Sequence, residues 1–287
     1  MTSAAPFLPP RKFPTTGFVK IDPVEKIEEE SLPFYDAEKY YPARIGEVFA
    51  SRYQVVSKLG YGMSSTAWLC RDLRDHGYNT LKICIRDQRP DQEIAVSDHL
   101  DKASDHFGKG LVRLVLEQFN IPGPSGTHTC LIYQPLGMNF TELQQFCSDS
   151  KLPDDLLQRS VQLTLISLAF LHENDVVHTD ISTNNILQGV QDSEVFRQIE
   201  EDEVSRPIAR KITDGREIYF SRPLPLSGGL PVLSDFGEAR IGKSKHRGDI
   251  MPGIYRAPEV ILDMEWDEKV DIWSMGVMAS SNSPYCP

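Results

Sequence analysis

The spacing of apolar residues changes once along this chain, near Leu136–Thr141. Before that seam lie five short runs, YQVVSKL, TAWLCRDL, NTLKICI, LVRLVLEQF and HTCLIYQPL, bounded by Gly, Pro, Asn or Asp. Their β-branched and aromatic content fits a pleated, half-buried surface and predicts an antiparallel sheet. One helical pattern interrupts them, with Glu93, Val96 and Leu100 at spacings of 3 and 4 on one face. After Pro153 the period turns helical: Leu157, Val161, Leu165 and Leu168 recur at 4, 4 and 3, and the helix is predicted to end near His172–Asp175. A polar loop, a long insertion from about Gln188 to Leu230 and the apolar run LPVLSDF follow. This order predicts an α+β chain: a small strand-rich lobe, then a mainly helical one. Residues 1–48 hold seven prolines and the acidic cluster Glu28-Glu29-Glu30, and are predicted to form an extended arm.

Composition narrows the function classes. At 287 residues the chain is long enough for two compact units or one large two-lobed domain, and its 40% apolar content argues against disorder. Lys and Arg total 30 against 41 Asp and Glu, a net charge of −11, which argues against nucleic acid or an anionic membrane as main partner. The sequence has no apolar run of about 18 residues, the length a membrane-spanning helix needs. Five cysteines (70, 84, 130, 147 and 286) lie outside metal-ligand spacing and are odd in number, which predicts free thiols in a reducing compartment, cytoplasmic or nuclear. Arg11, Lys12 and Lys20 without an acid suggest a transit peptide, but Pro6, Pro9, Pro10 and Pro14 would break its helix.

Several patterns carry chemistry. Leu59-Gly60-Tyr61-Gly62-Met63-Ser64-Ser65 sits between two predicted strands, where two glycines let backbone N–H groups approach phosphate oxygens; a glycine-rich hairpin is also often only a turn. Lys82, among Leu81, Ile83 and Ile85, either snorkels outward or meets an anion inside, with Glu93 on the next helix as a candidate partner. Then come, in order, His178-Thr179-Asp180 with Asn185 five residues on, Asp235-Phe236-Gly237, Ala257-Pro258-Glu259, and Asp271-Ile272-Trp273. One three-letter match has a chance expectation of about 0.04 in a chain this long, so three in the right order arise by accident with a probability on the order of 10⁻⁵.

In these residues, from about Tyr53 to Met278, the chain resembles the eukaryotic protein kinases. Within them it looks most like the fungal relatives of the SR-protein kinases, through YYPARIGEVFASRYQVVSKLGYG, the His-Thr-Asp form of the catalytic loop and YRAPEV. The resemblance implies a two-lobed fold: an arm over 1–48, a small antiparallel-sheet lobe with one helix over 49–136, and an incomplete helical lobe over 137–278 carrying the insertion 188–230. Residues 279–287 form a tail without a family counterpart. It implies ATP and Mg²⁺, a monomer, and a protein substrate, Arg/Ser-rich by expectation. Leu59 to Ser65 and Ala67 would cover the triphosphate, Lys82 would hold its α/β-phosphates while paired to Glu93, and Gln134 and Leu136 would bind adenine. Asn185 and Asp235 would ligate Mg²⁺, and Asp180 would orient the substrate hydroxyl and accept its proton. Lys82, Asp180, Asn185 and Asp235 are expected to converge around one triphosphate.

The departures are specific. Ser182 stands where such kinases usually carry a lysine, a loss worth about 2–4 kcal/mol of transition-state stabilisation. Thr179 replaces the arginine that commonly binds an activation-segment phosphate. Thr80 replaces the usual alanine of the adenine roof. The apolar pattern stops at Met278, so later helices of the family are expected to be missing and apolar surface exposed, as in a truncated product. Two alternatives follow: an inactive nucleotide-binding or scaffolding pseudokinase, and a small-molecule phosphotransferase, against which Arg256–Glu259 counts.

Overall fold

The computed structural model describes residues 7–213 and 215–282. Pro6, Cys286 and the last five residues of the expected tail lie outside them. The chain forms two compact units. The first comprises residues up to Arg89, Leu116–Pro135 and Asp192–Leu224; the second comprises Pro90–Val115, Leu136–Gln191 and residues from Pro225 on.

The first unit is built on a six-stranded antiparallel sheet. Its strands are β2 (Val48–Phe49), β3 (Tyr53–Tyr61), β4 (Ser65–Asp72), β5 (Tyr78–Cys84), β6 (Glu117–Gly123) and β7 (Gly126–Tyr133), in the order β2-β3-β4-β5-β7-β6. Alternation sends Val55, Trp68, Cys70, Leu81, Ile83, Cys130 and Ile132 into one core. Thr80 and Lys82 fall at the alternate positions of β5, where Lys82 lies opposite Ala67 on β4 and Leu131 on β7. The run LVRLVLEQF departs from expectation. Phe107–Leu111 is a 3₁₀ turn and the strand begins only at Glu117, because Val112 and Arg113 bridge instead to Leu233, the N–H of Arg113 donating to its carbonyl at 2.8 Å.

The arm and the insertion also differ from expectation. In the arm, β1 (Lys20–Ile21) pairs in parallel with β10 (Arg210–Thr213) of the insertion, which pairs antiparallel with β11 (Arg216–Tyr219). Tyr219 joins the core of the six-stranded sheet, edge-on to Trp68 at 5.8 Å. The acidic stretch of the insertion is a helix, α4 (Glu194–Ser205), and it has a buried face of Phe196, Ile199, Glu200 and Glu203. Glu203 is buried because Arg210 (3.1 Å) and Arg222 (2.5 Å) reach it, and Glu200 because Arg11 (3.2 Å) and Arg71 (3.4 Å) do. Asp192–Leu224 thus belongs to the strand-rich unit and not to the helical one, and the arm is packed rather than simply extended.

The second unit holds α1 (Asp91–Asp101), α2 (Phe140–Gln144), α3 (Asp154–Glu173), α5 (Pro258–Ile261) and α6 (Lys269–Asn282). Two small antiparallel pairs, β8 (Val176–Val177) with β13 (Arg240–Ile241) and β9 (Ile186–Gln188) with β12 (Pro231–Leu233), complete it. On α1 the buried face is Glu93, Val96, Ser97 and Leu100, as the spacing predicts, but the helix clusters with the second unit, where Val96 and Leu100 share a core with Leu168, Leu171 and Phe236. On α3 the stripe is rotated from the predicted one. Ser160, Thr164, Ser167, Leu168 and Leu171 are buried and Leu165 is 40% exposed, because the small hydroxyl residues let the segment before β6 approach closely, Ser167 Oγ donating to the carbonyl of Leu111 at 3.3 Å. Helix α6 runs past Met278, with the hydroxyls of Ser280 and Ser281 bonded back to the carbonyls of Val277 and Met278. Ile254, Ile261, Leu262, Met264, Ile272 and Trp273 are exposed, in line with the expected apolar surface.

Candidate active site

Asp271, in the first turn of α6, organises the loop between β8 and β9. Its carboxylate is fully buried and accepts from the backbone N–H groups of His178 (2.9 Å) and Thr179 (2.8 Å) and lies 2.9 Å from His172 Nε2. A negative charge at a helix N-terminus is favourably placed, and these bonds offset its burial. Thr179 has φ +70°, a conformation a β-branched residue rarely adopts. Its two hydrogen bonds hold it there, the N–H on Asp271 and Oγ1 on the carbonyl of Glu238 at 2.8 Å. The His178 ring is buried against Phe236, with centroids 5.1 Å apart. Its Nδ1 accepts from the N–H of Asp180 (3.2 Å), so Nε2 carries the proton and donates to the carbonyl of Ser234 (3.1 Å).

That scaffold brings Asp180 and Asn185 together. Asn185 Nδ2 donates to both the backbone carbonyl and Oδ2 of Asp180, each at 2.8 Å. With its amide nitrogen so engaged, Asn185 keeps its carbonyl oxygen as an acceptor. The β9–β12 pair fixes Asn185 and Asp235 at adjacent strand ends, since the carbonyl of Asn185 accepts from the N–H of Ser234 at 2.8 Å. Asp235 is exposed while the next residue, Phe236, is buried, and its φ of +67° produces that turn. Burial, together with the charges of Asp235 and Glu238, pushes the Asp180 carboxyl above its ordinary value, against the opposing Asn185 hydrogen bond. Asp180, Glu238, Asp249, Ile250, Met251 and Arg256 line a cavity of about 300 Å³, in which Arg256 pairs with Asp249 at 3.1 Å. Glu93 is buried on α1, and Leu136 is buried where the second unit resumes.

The remaining residues predicted from sequence lie in the first unit. Gly60 ends the ladder of β3 with Tyr61, and Gly62 to Ser64 form the bend to β4, closed by the N–H of Gly62 on the carbonyl of Ser65 (2.9 Å) and that of Ile85 on the carbonyl of Ser64 (2.9 Å). A Cβ added to Gly60 or Gly62 would meet no atom within 4 Å, and neither glycine has a left-handed backbone, so their value there is open space. Leu59, Ser65, Ala67 and Lys82 are half-buried, Tyr61 and Met63 are exposed, and Gln134 is exposed just after β7. Sequence reasoning missed Tyr40, whose hydroxyl donates to the carbonyl of Gly62 at 2.9 Å, and Lys58, fully buried beside the loop. Only the Tyr-Tyr pair at 40–41 hinted at the first.

No protein-family model matches the chain. It is 45% identical over 277 residues to a serine/threonine protein kinase of Aspergillus fumigatus, a match covering 94% of this chain and 67% of that one. The chain belongs to the serine/threonine protein kinases. Among the kinase's other relatives are the serine/threonine-protein kinase SRPK of Physarum polycephalum, 27% identical (91% of this chain, 68% of the relative), and human SRSF protein kinase 3, 30% identical (59% and 31%). Its fold is that of a solved kinase domain, with a TM-score of 0.65 at 23% identity over 86% of this chain and 68% of the other.

Proposed function

We propose that this kinase transfers the γ-phosphoryl group of ATP to serine in basic, Arg/Ser-rich protein segments, with Asp180 as the residue that orients the serine hydroxyl and takes up its proton. The observation that carries this is the Asp180–Asn185 pair on a scaffold fixed by Asp271, at the edge of a cavity with the acidic residues Glu238 and Asp249. Phosphoryl transfer needs the nucleophile held in line and charge neutralised, more than covalent help. Within that scheme Leu59 to Ser65 and Ala67 face the triphosphate, Lys82 holds its phosphates and Glu93 supports Lys82. Gln134 and Leu136 contact adenine.

Asn185 and Asp235 are the candidate Mg²⁺ ligands. Both offer hard oxygen atoms, and Asn185 Nδ2, turned toward Asp180, leaves its Oδ1 for the cation. Mg²⁺ bound there supplies positive charge beside the phosphates. Among the described residues no group of three or more His, Cys, Asp or Glu is placed to hold a metal ion by itself. The relative named as an SRSF protein kinase supports the substrate class, as do Asp180 and Glu238 on the cavity wall and the net charge of −11. A cytoplasmic or nuclear site of action and a monomeric state belong to the same reading. Among the described residues no helix is long and apolar enough to cross a membrane.

The test is phosphate transfer to an Arg-Ser repeat peptide beside an ATP-binding thermal shift. Asp180→Asn is expected to lower kcat by about 10²–10⁴-fold while ATP still raises the melting temperature. A second reading, a nucleotide-binding pseudokinase, is favoured by Ser182, which is 5% exposed and puts no positive charge beside Asp180. Wild-type protein that binds ATP and transfers nothing would establish that reading instead.

A further inference from the structure

The geometry points to the arm before β2 as a positioning element for the phosphate-binding loop, acting through Tyr40 and Lys58. The inference rests on the reading that Leu59 to Ser65 face the triphosphate.

Tyr40 follows a 3₁₀ turn at Ala37–Lys39 and is 5% exposed. Its ring packs on Tyr35 with centroids 5.2 Å apart, and its carbonyl accepts from Arg216 Nη2 of β11 at 2.7 Å, so the phenol is held from behind. The hydroxyl then donates to the carbonyl of Gly62. A trans peptide is planar, with C=O and the following N–H pointing in opposite directions. Fixing the Gly62 carbonyl on Tyr40 therefore turns the N–H of Met63 away from the arm, in a bend where glycine would otherwise leave the peptide free to rotate.

A second grip acts on the neighbouring residue. Lys58 Nζ lies 5.1 Å from the centroid of the Tyr61 ring. Lys58 is itself held by two arm carboxylates, Glu28 at 3.3 Å and Glu29. Glu28 in turn accepts from the N–H (3.0 Å) and hydroxyl (2.7 Å) of Ser221, two residues after β11. Tyr61 and Gly62, consecutive at the tip of β3, are thus each held by a group that the arm supports. A loop ordered before its anionic ligand arrives loses less entropy on binding than one ordered by it.

Tyr40→Phe keeps the ring and removes only the donor. Dissociation constants for ATP and for adenosine, with KM for ATP and for a peptide substrate, read the effect. ATP affinity is expected to fall about 3- to 10-fold, with adenosine affinity, peptide KM and melting temperature unchanged. Gly62→Ala serves as the companion, since its added Cβ disturbs only what enters the space above the loop, and it too should weaken ATP relative to adenosine. If Gly62→Ala does so and Tyr40→Phe does not, the role of the arm is overturned and the reading of the loop stands. If neither changes the ratio, the loop is not at the phosphates and both fail. Equal losses of ATP and adenosine in Tyr40→Phe would mark general damage and also overturn the proposal.

Discussion

Thr179 concentrates much of the residue-level physics. The resembling kinases commonly have an arginine here, able to bind a phosphate on the segment after Asp235. A hydroxyl cannot form that charge-assisted pair. Instead Oγ1 anchors the carbonyl of Glu238 directly, and the unusual φ is held by Asp271. Between Asp235 and Glu259 the sequence has two hydroxyl side chains, exposed Ser244 and half-buried Tyr255, and Tyr255 packs against the main core of its unit. Turnover is therefore expected to be unchanged, within about twofold, after phosphatase treatment or in Ser244→Ala, whereas Thr179→Ala should lose most of its rate without losing ATP binding. A large loss on dephosphorylation, read in the same peptide assay, would count against this. That His178, Asp180 and Asn185 share one loop was legible because their spacing is short and fixed, and their hydrogen bonds follow from it. Tyr40 and Lys58 were not, since their partners lie at separations that no periodicity announces.

At the scale of elements, the turn from β4 to β5 hangs on Asp72. Its Oδ1 accepts from the N–H groups of Arg74 (2.9 Å) and Asp75 (3.1 Å), and Arg52 reaches the same carboxylate at 2.8 Å. Burial alone would raise its pKa, but the Arg52 guanidinium and those N–H groups outweigh burial and hold the carboxyl below its ordinary value. A depressed folded-state pKa contributes stability that is present above the unfolded pKa and lost as pH falls through the folded one. Asp72→Asn should therefore cost about 1.5–3 kcal/mol at pH 7 in urea melts, and the gap to wild type should close as pH falls below about 4. A gap independent of pH would show that the carboxylate charge is not the cause. Most strands were readable from short β-branched runs. The buried side of α4 was not, because Glu200 and Glu203 look solvent-facing until Arg11, Arg71, Arg210 and Arg222 arrive from elsewhere in the chain.

For the whole molecule, the proposed Arg/Ser-rich substrate makes charge the expected control on encounter. A net charge of −11 and the exposed Glu238 on the cavity wall beside Asp180 favour a cationic peptide, and salt screens such attraction over a Debye length of about 10 Å at 0.1 M. For an Arg-Ser repeat peptide, kcat/KM is expected to fall at least about threefold between about 0.05 and 0.5 M salt, mostly through KM. A flat profile would remove electrostatics from substrate choice. The amino-acid order by itself determined the family, the antiparallel sheet and the α+β class, since each rests on local spacing, backbone preference or a short motif. Only the tertiary structure decided that arm and insertion become one small sheet packed on the strand-rich unit, which acids are buried, and that Tyr40 grips Gly62. Those outcomes depend on side chains finding opposite charges and open carbonyls far along the chain, and distance in sequence carries no trace of such meetings.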